Sequence, residues 1–152
     1  MPRTYLLLRF ADDGDGTGKL FARAEANGFA GEGEAYFGTE ELEKFSIAIG
    51  RFPLPNHEDC SISGGFGKLG TSEVQEHLGI RVYAIDARGH IGLQIRMATE
   101  VWPQTRPESQ KMAKIEILTS YEPLRRFSED LAALVHKKTK EALIEGDPDI
   151  RS

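Results

Sequence analysis

The sequence predicts an α+β domain in which one antiparallel sheet of about seven strands is covered by two helices. Three observations predict it. Between Glu73 and Met97, Val74, Leu78, Ile80, Val82 and Ala84 alternate with mostly polar neighbours, and Ile91, Leu93, Ile95 and Met97 resume the alternation after Ala87-Arg88-Gly89. This is the pattern of a long hairpin with one apolar face. Asn27-Gly28 separates two further alternating runs, and both residues accept the positive φ of a two-residue hairpin turn. Twice the apolar period lengthens to that of a helix, over 39–50 and 121–145.

In chain order, Arg3 to Phe10 is a Leu-rich strand that ends in the turn Asp12-Asp13-Gly14-Asp15-Gly16-Thr17-Gly18. Lys19 to Ala26 and Phe29 to Phe37 form the Asn27-Gly28 hairpin. On its second strand Phe29, Gly31, Gly33, Ala35 and Phe37 share one face, and Glu32, Glu34 and Tyr36 the other. Thr39 is the expected N-cap of the first helix, with Glu40, Glu41 and Glu43 in its first turn where they complement the dipole. Leu42, Phe45 and Ile49 give that helix its apolar stripe, Gly50 suits its end, and Pro53 and Pro55 forbid its continuation.

Cys60 to Phe66 reads as a strand weakened by Gly64 and Gly65, and Gly67 to Ser72 as a loop. The central hairpin follows, with a three-residue connection in which Gly89 takes the left-handed position. Glu100 to Gln110, with Pro103 and Pro107, is a loop, and Met112 to Thr119 is the last strand. Ser120 caps the second helix, and Pro123 falls in its first turn. Leu124, Phe127, Leu131, Leu134 and Val135 form its apolar stripe, which Ala142 or Leu143 extends; Gly146 ends it. The expected order is β-β-β-α-β-β-β-β-α, a single domain over 1–146 with a frayed tail over 147–152.

A chain of 152 residues buries roughly 68–70% of its unfolded surface, enough for a core without disulfides or metal. Cys60 is the one cysteine, so no internal bridge forms, and a buried thiol in a reducing, cytoplasmic setting is the expectation. No run approaches the ~20 apolar residues of a membrane-spanning helix. Nine acids between Asp12 and Glu43 face only Lys19 and Arg23, so this segment carries −7 and the remainder +2 of a net −5. That distribution argues against nucleic acid, which demands a basic footprint, and is compatible with a basic protein partner.

Gly14 to Lys19 reads GDGTGK, one residue short of a phosphate loop, with Leu20 in place of the Ser or Thr and a strand where a helix is required. The same aspartates fail the calcium-loop register, because Ala11 and Ala22 occupy its first and twelfth positions. His57, His77, His90 and His136 show no metal-ligand spacing. No catalytic residue, metal or cofactor is expected. The candidate partner-binding residues are Glu32, Glu34, Glu40 and Glu41 on the acidic segment, and Arg81, Tyr83 and Arg96, with Gln94, on the outward face of the hairpin. Trp102, the only tryptophan, is either a lid over the sheet edge or an exposed anchor.

The succession of GFAGEGEAYFG, Thr39-Glu40-Glu41-Leu42-Glu43-Lys44-Phe45, the DARGH turn at Asp86 to His90, and Leu124-Arg125-Arg126-Phe127 in a terminal amphipathic helix resembles the small bacterial proteins of the WapI-type immunity family and their relatives. The resemblance spans roughly Phe29 to Lys138 and rests on the order of elements. It implies a non-enzymatic cytoplasmic protein that neutralises a cognate toxin, and it carries no functional residue over to this chain. The leading expectation is thus an interaction module for a basic partner. The alternatives are a small-molecule-binding domain or enzyme with a pocket between sheet and helix, and a homodimer pairing through a sheet face or edge.

Overall fold

Alternating apolar residues produce the strands as expected, but the strands divide into two antiparallel sheets of four instead of one of seven. The computed structural model describes residues 3–65 and 75–147. Along the chain lie β1 (Tyr5–Asp12), β2 (Thr17–Ala26), β3 (Phe29–Gly38), α1 (Thr39–Ile49), β4 (Ser61–Gly64), β5 (Leu78–Ala84), β6 (Ile91–Ala98), β7 (Met112–Thr119), α2 (Tyr121–Val135) and β8 (Ala142–Glu145). The first sheet runs β3-β2-β1-β8 and the second β4-β5-β6-β7.

The turns follow local chemistry. Asn27 and Gly28 both take positive φ, 53° and 86°, and pair Ala26 with Phe29. In the β5–β6 hairpin Ile85 donates its N–H to the His90 carbonyl, so the connection is four residues, not three. Gly89 takes φ 92° there, and Asp86 Oδ1 accepts the N–H groups of Arg88 and His90. Glu73, Val74, Phe66 and the expected loop over 67–72 lie outside the described residues.

The two sheets meet through small residues. A side chain at Gly31 would strike Ala113 and Met97, and one at Gly33 would strike Met97. Gly64 lies equally close to Ala35 and Phe37. Between the sheets and helices, Leu6, Leu8, Leu20, Leu42, Phe45, Ile80, Leu93, Phe127 and Leu131 are all buried in one continuous apolar cluster. The helices pack on each other, α1 also against β3 and β4, and α2 against β1 and β8.

Two helix expectations need correction. Gly38, not Thr39, is the N-cap of α1; Thr39 instead donates its N–H and hydroxyl to the Gly16 carbonyl and ties the helix to the β1–β2 turn. The second helix stops at Val135 rather than at 145. Lys137 takes φ 61°, which reverses the chain, and Ala142 to Glu145 pair with Leu8 to Tyr5 as strand β8. Gly146 is therefore no helix end: it donates to the Thr4 carbonyl, and Asp147 donates to the Leu118 carbonyl. The first bond extends the β8–β1 ladder, and the second lashes the first sheet to β7 of the second. Asp147, expected to begin the frayed tail, is held by one of them.

Candidate functional site

Twenty residues of alternation place Glu32 and Glu34 on the outer face of the first sheet, where the acidic stretch meets its counter-charges. Arg23 lies directly across from Glu32 and bonds it at 2.9 Å; Lys19 reaches Glu34 at 3.6 Å. Tyr5 Oη accepts from Arg23 Nε at 2.8 Å, and this bond, ahead of the one to Glu32, raises the Arg23 pKa. Asp12 meets Lys137 at 3.1 Å and Glu43 meets His136 at 2.9 Å. These four acids thus meet partners at the surface in pairs of little net strength, and because Lys19 and Arg23 are already counted in the −7 the segment stays strongly acidic.

Glu40 and Glu41 sit elsewhere, exposed in the first turn of α1. The Thr39–Gly16 bonds bring them beside the aspartate turn. There Asp15 accepts from the Thr17 hydroxyl and N–H, and Asp12 from the Gly14 N–H; these bonds lower both aspartate pKa values. The acidic segment is therefore two separate surfaces, and the helix start does not join Glu32 and Glu34.

What Glu32 and Glu34 do join is a hollow. Among the described residues β3 pairs only with β2, so its other side is a sheet edge. Along that edge runs a groove of about 570 Å³ lined by Phe21, Glu32, Gly33, Glu34, His77, Thr99, Glu100 and Trp102. Its far wall is fixed by one side chain: the Gln75 carboxamide donates to the Val101 carbonyl at 2.7 Å and accepts from the Val101 N–H at 3.1 Å. Trp102 is held in turn by its N–H to Thr105 Oγ1 and by the Thr105 N–H to its own carbonyl. The residue is 45% exposed. Trp102 is thus no closed lid over the sheet edge: it stays exposed and forms one wall of a concave site. Phe21, Glu100 and the Gln75 clamp were missed from sequence, because their roles depend on β3 and the 98–102 segment meeting in space.

On the outer face of the second sheet, Arg81, Tyr83, Gln94 and Arg96 do gather as expected. Arg96 is spoken for: Nε and Nη2 donate to the two Glu76 oxygens at 2.7 and 3.0 Å, and Nη1 donates to Gln94 Oε1 at 3.1 Å. The Arg96 bonds hold the Glu76 carboxyl below its usual range, assisted by the Ser63 hydroxyl. The Tyr83 hydroxyl donates to Glu116, which raises the phenol's pKa. Gly92 makes room for this: a side chain there would lie 2.6 Å from the Tyr83 ring. Arg81 stacks on that ring at 4.5 Å.

Cys60 is fully buried, as expected, and burial pushes its thiol up to about 11. No group of three or more His, Cys, Asp or Glu among the described residues is arranged to hold a metal ion. Among the described residues no helix is long and apolar enough to cross a membrane. Comparison with known proteins adds no relative: no family model matches the chain, and neither a curated protein nor a solved structure does.

Proposed function

We propose that this is a non-enzymatic interaction module that grips a basic protein segment in the groove along β3. The observation that carries the reading is the concentration of Glu32, Glu34 and Glu100 around a hollow walled by Phe21 and the sole tryptophan. A lysine or arginine side chain entering it gains carboxylate hydrogen bonds and lies against an indole face, the best aromatic partner for a cation. The exposed pairs that Glu32 and Glu34 make with Arg23 and Lys19 are weak enough to be exchanged for such a ligand. Acidic steering of a cationic partner accelerates encounter in low salt. The resemblance to WapI-type immunity proteins favours a basic toxin domain in a bacterial cytoplasm as that partner.

Trp102 reports on the site directly. Titration with an arginine-rich peptide at low ionic strength should change its fluorescence saturably. The Glu32→Gln/Glu34→Gln/Glu100→Gln variant should bind at least about tenfold more weakly, roughly 1.4 kcal/mol. Raising salt well above 0.15 M, where the screening length is about 8 Å, should weaken wild-type binding. A peptide that leaves Trp102 unchanged at millimolar concentration, or that binds the triple variant equally well, overturns the proposal.

A further inference from the structure

Arg81 differs from its neighbours on the outer face of the second sheet. Arg96 on the same face is matched by Glu76 in a two-pronged pair. Arg81 makes no hydrogen bond and no ion pair among the described residues; its one interaction is the stack on Tyr83. Its Nε is buried with no hydrogen-bond partner among the described residues, so this half-buried side chain is held by the ring and not by a counter-charge.

The surroundings hold this guanidinium in place. Gly92 lets the Tyr83 ring lie against the sheet, and Glu116 fixes that ring through its hydroxyl. Arg81 then lies on the ring, with Ser61 opposite it on β4 and Gln94 opposite it on β6. A stacked arginine loses less freedom on binding than a free one, because its planar fork is already oriented. Among the described residues the carboxylates of this face, Glu76 and Glu116, are engaged by Arg96 and Tyr83. Lys114 extends the unmatched positive charge next to Arg96 on β7. On a chain of net charge −5 this face therefore presents cations that no described carboxylate matches.

We propose that Arg81 anchors a carboxylate side chain of an acidic protein segment on the outer face of the second sheet. Charge complementarity selects the occupant. One guanidinium fork matches one carboxylate, whereas a dianionic phosphate would face repulsion from Glu76 and Glu116 with a single fork to offset it. Arginine and tyrosine are also both enriched among interface anchors. The site is independent of the groove at β3, carries the opposite preference, and gives the protein two faces for partners of opposite charge.

The test is fluorescence anisotropy of a labelled oligoglutamate peptide at low ionic strength, with inorganic phosphate as competitor. Wild type should bind saturably, and Arg81→Gln should weaken binding at least about tenfold. Arg81→Lys, which keeps the charge and the fold but loses the fork and the stack, should fall between them. The Glu32→Gln/Glu34→Gln/Glu100→Gln variant should bind this peptide no more weakly than wild type, which separates the two sites. Equal binding by Arg81→Gln and wild type overturns the proposal, as does the absence of binding to wild type. Displacement of the peptide by an equal concentration of phosphate also overturns it, because it assigns the site to phosphate.

Discussion

Substituting Gly33 by alanine tests the meeting of the two sheets. The added Cβ would lie 2.8 Å from Met97 Cγ, 3.0 Å from Met97 Cβ and 3.2 Å from the His77 carbonyl oxygen. Relaxed contacts between carbons fall near 3.5–4.0 Å, so something must move. Met97 is 3% exposed and has little room, and the His77 carbonyl is fixed by the Ala98 N–H at 3.0 Å. Overpacking of this kind costs about 1–3 kcal/mol. The stiffer unfolded chain returns about 0.4–1 kcal/mol. The net expectation is a loss of about 1–2 kcal/mol. In urea, with a slope of about 2 kcal/mol per molar, the midpoint should fall by roughly 0.5–1 M at unchanged slope. Met97→Ala alone should cost about 2–5 kcal/mol. Combined with Gly33→Ala it should cost less than the two together, by about 0.5 kcal/mol or more, because the clash is relieved. A Gly33→Ala protein as stable as wild type, or strict additivity of the pair, would refute the close packing of β3 on the second sheet.

Three further outcomes follow from single contacts. Cys60 is buried with its thiol pushed up to about 11, so a disulfide reagent at neutral pH should label the native protein only as it opens; immediate stoichiometric labelling would contradict the burial. Because Arg96 depresses the Glu76 pKa, this pair should contribute stability above the unfolded carboxyl value of about 4.3 and lose it as pH falls through the lower native value. Glu76→Gln should therefore flatten the acid limb of stability against pH, and superimposable limbs would remove the pair from the account. Lys137 takes φ 61°, where an L side chain costs about 1–2 kcal/mol relative to glycine. Lys137→Gly should be stabilising by about 0.5–1 kcal/mol once the loss of its exposed pair with Asp12 is counted, and equal destabilisation by Gly and Ala would argue against the left-handed turn after α2.

The candidate site divides along the same physical line as the fold. Each sheet face was legible, because side chains alternate sides along a strand whatever lies beyond it. Glu32 and Glu34 therefore share a face, as do Arg81, Tyr83 and Arg96. Their partners were not legible. Arg96 was expected to be available, yet Glu76, twenty residues back along the chain, occupies it. Glu100 and Trp102 join Glu32 only because the end of β6 comes to rest beside the β3 edge.

Sequence alone determined what short-range sterics dictate. Asn27-Gly28 and Gly89 had to turn the chain, Gly50 and Pro53 had to stop α1, and the alternating runs had to be strands with one apolar face. Tertiary structure decided what depends on distant partners. Ala142, Leu143 and Ile144 form an apolar run that also continues the stripe of α2, and β1, more than a hundred residues earlier, claims them as a strand. Whether seven or eight strands make one sheet or two was settled by Gly31 and Gly33 on one side and by the Asp147 bond to Leu118 on the other. Periodicity tells a residue which face it occupies; only packing, which sums weak contacts over the whole chain, tells that face what it will meet.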